Sequence, residues 1–127
     1  SPLRDFSHIN QAFEVLHKKK ADAIISISKT NHSPLWCNKI PKDGSMVDFL
    51  KKDVLNKRSQ DLKKFYRING AIYICKTEKL LKQKTFFIKK NVYSYEMNRD
   101  VSMDIDESLD FEFANFLLKS NLRTASI

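Results

Sequence analysis

The segment FYRINGAIYIC, Phe65 to Cys75, constrains the fold more than any other part of the chain. It is rich in isoleucine and aromatic residues and contains no proline, the composition of a strand. Alternation puts Ile68, Ile72 and Ile74 on one face and Arg67, Asn69, Ala71 and Tyr73 on the other. A strand packed by helices on both sides would be apolar throughout. Here one face carries Arg, Asn and Tyr, which leaves two readings open. It is either a half-exposed edge strand or a strand whose polar face lines a cleft.

The flanking segments supply an alternating helix and strand rhythm. From Asp5 to Lys19, Phe6, Ile9, Phe13 and Leu16 recur at helical spacing with Ala12 beside them. This predicts an amphipathic helix, capped by Asp5 or Ser7, with that stripe on a sheet. ADAIISIS, Ala21 to Ser28, reads as a buried strand. Glu78 to Lys84 reads as a short helix or turn and Val92 to Met97 as another strand. Leu109, Phe113, Phe116 and Leu117 mark a closing helix, with a frayed tail expected after Ser120. Phe86 and Phe87 precede the last strand; on an extended segment one ring would enter the core and the other face a pocket.

Between Lys29 and Lys64 the rhythm breaks. Turn signals stand at Asn31–Pro34 and Pro41–Gly44, and Met46–Leu55 reads as a short helix or strand. Trp36 is the one large apolar anchor there, either a packed loop residue or an interface residue.

Length and composition bound the rest. The 127 residues fit one domain, and an apolar share of 42% argues against disorder. No apolar run approaches the ~20 residues of a membrane span. Cys37 and Cys75 lack CxxC spacing, which suits a reducing cytoplasm and gives no zinc site. The net charge of +8 lies mostly on scattered lysines. No nucleic-acid-binding motif accompanies them, so nucleic acid is an unlikely partner. With two glycines and neither GxGxxG nor GxxxxGK[ST], the chain has no recognisable phosphate-cradling loop.

The acid is gathered in VSMDIDESLDFEFANFLL, Val101 to Leu118. If extended, Asp104 and Asp106 point to one side, where a hard cation would relieve their repulsion. Alternatively, Asp106 caps the following helix while Glu107 and Asp110 complement its dipole.

Three segments carry a resemblance. SPLRDFSHINQAF resembles the end of the LQPTSPLR motif and the helix after it in the acylneuraminate cytidylyltransferases, the CMP-sialic acid synthetases. FYRINGAIYI is similar to that family's RxNGAIYI element, and SMDIDESLDF to its SIDIDTELDF element. RSQDL, Arg58 to Leu62, fits the stretch found before RxNGA. The resemblance implies an α/β fold: the C-terminal part of a Rossmann-like nucleotidyltransferase, with a mixed sheet flanked by helices and a dimerisation insertion at about Ser33 to Lys64. It implies transfer of CMP from CTP to a nine-carbon 2-keto sugar acid, with pyrophosphate released. Asp104 and Asp106 would hold Mg2+ against the triphosphate. Asn69 and Tyr73 would line the sugar site, Arg67 and Arg58 would serve the sugar carboxylate, and Phe86 and Phe87 would form a pocket for the N-acyl group. A homodimer without membrane attachment is implied.

Two departures accompany the match. Trp36 stands where a relative carries a lysine, with Lys39 nearby, and the spacing from Arg58 to Asn69 is one residue long against some members. The family's N-terminal nucleotide loop, ARxGSKGxxxKN, is not in the sequence. The isolated chain is therefore not expected to turn over CTP. The competing expectation is a non-catalytic homodimeric module derived from the same fold.

Overall fold

The computed structural model describes residues 1–124, with side chains described through residue 120. Contacts divide the chain into two units: residues 1–28 with 68–127, and residues 29–67.

In the first unit, helix α1 (Phe6–Lys19) is started by Asp5, whose carboxylate accepts from the Ser7 and His8 backbone amides. His8 completes a reciprocal cap by accepting from the Asp5 amide through Nδ1 (3.1 Å). The helix stops at Lys20, which adopts the left-handed conformation at φ 49°. The buried face agrees with the expected one in part. Ala12 is fully buried and Leu16 packs on the core as expected, joined by Val15, while Phe6 is 77% exposed and Ile9 and Phe13 are also exposed. Small Ala12 lets the helix approach the sheet closely, and the larger rings are left outside.

The sheet has three strands in the order β2-β1-β3: β1 (Ala23–Lys29), β2 (Tyr66–Cys75) and β3 (Val92–Glu96). β1 and β3 are parallel, in register from Ala23 opposite Val92 to Ile27 opposite Glu96. β2 runs antiparallel to β1, with Lys76 N bonded to Asp22 O at one end and Ile72 N bonded to the Ser26 hydroxyl further along. The sheet is therefore mixed. Ala12, Ala21, Ile24, Ala71, Ile72, Tyr95 and Met97 form its core. Tyr95 ties β3 to α1 by donating to Gln11 Oε1 at 2.7 Å.

β2 does not keep simple alternation. Gly70 sits at φ +68°, and Asn69, Ala71 and Ile72 are all buried while Ile68 is 45% exposed. A positive φ is cheap for glycine; Asn69 and Ala71 on either side of it share the buried face as alternation places them, and the alternation fails at Ile72, buried next to Ala71.

After β2 come α2 (Thr77–Gln83) and, past β3, α3 (Ser108–Thr124). Among the described side chains of α3, Ala114 is buried and Leu117 half-buried, whereas Leu109, Phe113 and Phe116 are exposed, so the expected apolar stripe is only partly the buried one. Beyond Ser120 the expected fraying falls where α3 continues to Thr124, and further on it lies outside the described residues.

The second unit carries little regular structure. Residues 34–36 and 59–61 form short 3-10 turns, and Met46 to Leu55 is neither helix nor strand but a succession of turns. Val54 is its buried residue, and Trp36 is 44% exposed. Among the described residues, no helix is long and apolar enough to cross a membrane.

Candidate functional site

Three motifs far apart in sequence meet in the first unit. Arg4, from SPLR, donates to the carbonyl of Ala71 in the NGAIYI strand at 2.6 Å. Leu3 shares a small apolar cleft with Ile105, Phe111, Ala114 and Leu118, so the SPL segment packs beside the acidic motif. Asn69 joins the strand to the same motif by donating from Nδ2 to Ser102 Oγ at 3.0 Å.

Asn69 is 2% exposed, and its amide is saturated. Oδ1 accepts from Ser26 Oγ (2.6 Å) and from the Ala71 amide (3.2 Å). Nδ2 donates to Ser102 Oγ and to Met97 Sδ (3.4 Å). Ser26 and Ser102 are buried as well, and the Ser102 hydroxyl donates to the carbonyl of Asn98 at 2.6 Å. Removing any member leaves a buried partner unsatisfied, at about 1–3 kcal/mol per group. Sequence reasoning missed Ser26, Ser102 and Arg4. The signal for Ser26 was present: a serine within an isoleucine-rich buried strand needs a polar partner.

Tyr73, Phe86 and Phe87 are brought together. The Tyr73 ring centroid lies 5.4 Å from that of Phe86 and 6.4 Å from that of Phe87, the second pair edge-on. All three are exposed. The two phenylalanines therefore do not separate between core and pocket. Their segment is bent, both rings approach Tyr73, and Ile88 takes the core position.

Asp104 and Asp106 are exposed, on an irregular segment between a 3-10 turn (Arg99–Val101) and α3. The Asp104 carboxylate accepts from the next backbone amide, that of Ile105, at 3.2 Å. No salt bridge engages either carboxylate among the described residues. Asp106 is not the helix cap. Asp110 reaches back, its Oδ2 accepting from the Asp106 amide (3.1 Å) and the Glu107 amide (2.9 Å). Among the described residues no three His, Cys, Asp or Glu side chains group as a metal site. A pair of open carboxylates still fits Mg2+, which commonly takes one or two protein carboxylates and fills its shell with water and substrate phosphate oxygens.

Arg58 and Arg67 belong to the second unit. Both are exposed, Arg58 just before the 3-10 turn at Ser59–Asp61 and Arg67 near the start of β2.

No family model matches the chain. Among curated proteins it is 34% identical over 111 residues to N-acylneuraminate cytidylyltransferase of Streptococcus agalactiae serotype V, an alignment covering 87% of this chain and 26% of the relative. It is 28% identical over 127 residues to CMP-N,N'-diacetyllegionaminic acid synthase of Legionella pneumophila, covering 95% and 51% respectively. It is 26% identical over 125 residues to pseudaminic acid cytidylyltransferase of Campylobacter jejuni, covering 98% and 53%. The chain thus spans about a quarter of the length of the first relative and about half that of the other two. Together with the three interlocked motifs, these matches make the chain a homologue of part of the N-acylneuraminate cytidylyltransferases.

Proposed function

We propose that this chain is the sugar- and metal-binding part of a nucleotidyltransferase that moves CMP from CTP to a nonulosonic acid. The sugar's anomeric oxygen forms a bond to the α-phosphorus of CTP, the bond from that phosphorus to the bridging oxygen breaks, and pyrophosphate leaves. The observation that carries this reading is the exposed aromatic group of Tyr73, Phe86 and Phe87, in the same unit as the acidic pair.

In this reading the three rings seat the apolar end of an N-acyl group. Arg67 and Arg58 serve the sugar carboxylate, for which a planar guanidinium fork is suited. Asp104 and Asp106 hold Mg2+, which when bound offsets charge on the triphosphate oxygens. The fold is read as the C-terminal part of a Rossmann-like nucleotidyltransferase. The segment from about Ser33 to Lys64, with Trp36, Met46 and Val47 exposed, is read as its homodimerisation insertion. The test is Mg2+-dependent pyrophosphate release from CTP across a panel of N-acylated nonulosonic acids, using protein that carries this chain at its full encoded length. Release that requires one of these acids supports the reading, and release that ignores the acid contradicts it.

A further inference from the structure

We propose that Asn69 is a positioning residue for the acidic pair: the buried chain Ser26–Asn69–Ser102 fixes one end of the segment that bears Asp104 and Asp106. This rests on the metal-binding reading of that pair.

The argument begins with saturation. Every donor and acceptor of the Asn69 amide is engaged inside the protein, so it has no free group to offer a sugar without breaking an existing bond. Its useful output is mechanical, and it is directed at Ser102. That serine is 1% exposed and is held on two sides, accepting from Asn69 and donating to the carbonyl of Asn98. Asp104 follows two residues later, within about 7 Å of chain reach. At the far end, the Asp110 carboxylate holds the amides of Asp106 and Glu107. Between them Ile105 sits in the apolar cleft with Leu3 and Ala114. An exposed acidic segment is thus pinned at both ends and in its middle. Free carboxylates on a loose loop would pay ordering entropy on binding an ion, and they would repel one another while unbound. A buried hydrogen-bond chain removes much of that ordering cost beforehand, as partners behind metal ligands do elsewhere.

Asn69→Ala empties a core position and breaks four buried hydrogen bonds at once, so Ser102→Ala serves as the main variant, cutting the same link from its loop end. The experiment compares the 127-residue chain with Ser102→Ala and Ser102→Thr. It reads melting temperature, 15N backbone order parameters over residues 103–106, and Mn2+ affinity by paramagnetic relaxation. The expected result for Ser102→Ala is a small change in melting, order parameters falling from the rigid range toward about 0.6, and Mn2+ affinity weakened roughly tenfold or more. Ser102→Thr, which keeps the hydroxyl, restores both. Unchanged order parameters in Ser102→Ala overturn the inference whatever the ion does. Asp104→Asn and Asp106→Asn separate the two claims. If they leave Mn2+ affinity unchanged, the metal reading fails, and the order parameters still decide whether the chain anchors the segment.

Discussion

The Tyr73 ring stands 5.4 Å from the Phe86 ring, tilted by 49°. With Phe87 it forms an aromatic surface open to solvent, beside a strand whose inward residues are committed to the core. If this surface seats an N-acyl group, Phe86→Ala raises KM for an N-acylated sugar acid by about tenfold, the equivalent of burying one or two methyl groups. Turnover number stays nearly unchanged, because the contact is the same in ground and transition states. The same acid without its acyl group separates the effects: wild type and variant then give similar KM values.

Gly70 lies in the left-handed region at φ +68°, between the buried residues Asn69 and Ala71. A Cβ built at Gly70 meets nothing within 4 Å, so a substitution there is limited by backbone conformation and not by space. Gly70→Ala is expected to lose about 1–2 kcal/mol, the cost of a left-handed residue. Urea denaturation measures this directly.

Asp22 and Lys76 join β1 to the end of β2 by an ion pair of 2.7 Å, alongside the backbone bond between the same two residues. The hydrogen bond from Lys76 lowers the Asp22 carboxyl below its ordinary value of 3.8, helped by Asn91. The same bond raises Lys76 above its ordinary 10.5. The depressed carboxyl contributes stability above pH 3.8, and that contribution is lost as pH falls through the lower folded value. The raised amine contributes below 10.5, and that contribution is lost as pH rises through its folded value. Asp22→Asn should therefore lower the melting temperature at neutral pH, and the difference from wild type should vanish in strong acid. Melting curves across pH check both limbs.

Asp110, not Asp106, closes the start of α3. Asp110→Ala is expected to cost about 0.5–1.5 kcal/mol, the net worth of a typical hydrogen bond, because the Asp106 and Glu107 amides lose their acceptor. Asp110→Asn should cost less, because its amide oxygen can still accept. Helix content and denaturant midpoints distinguish the two variants.

Much of the architecture was legible in the sequence because it depends on short-range pattern. The cap at Asp5, the strands at ADAIISIS and NGAIYI, and the helix following DIDES follow from residue type and spacing alone. The buried faces of α1 and α3 were legible only in part: Ala12, Leu16 and Leu117 were named, Val15 and Ala114 were not. Phe6, Ile9 and Phe13 form as regular a stripe as Ala12, Val15 and Leu16, and three strands lack the surface to cover both. Size misled: the helix packs on its small residue. In the candidate site, Tyr73, Phe86 and Phe87 come together, although strict alternation had parted the two phenylalanines. Spacing grouped Asn69 with Ala71 correctly, but the polar residues on that face read as an edge or a cleft lining, and the buried partners Ser26 and Ser102 that let Asn69 face inward lie far away in the chain. Ser102 gave no signal, since its importance comes from a partner far away in the chain.

The central claim is CMP transfer dependent on the acidic pair, and the most direct measurement follows that transfer by 31P NMR. Protein carrying this chain at its full encoded length would be given CTP, Mg2+ and an N-acylated nonulosonic acid, and compared with its Asp106→Asn variant. The account predicts CMP-sugar and pyrophosphate signals from the wild type, a rate roughly 100-fold lower in the variant, and melting temperatures within a few degrees of each other. Transfer that survives Asp106→Asn, or a loss of rate that merely tracks a loss of folding, would contradict it.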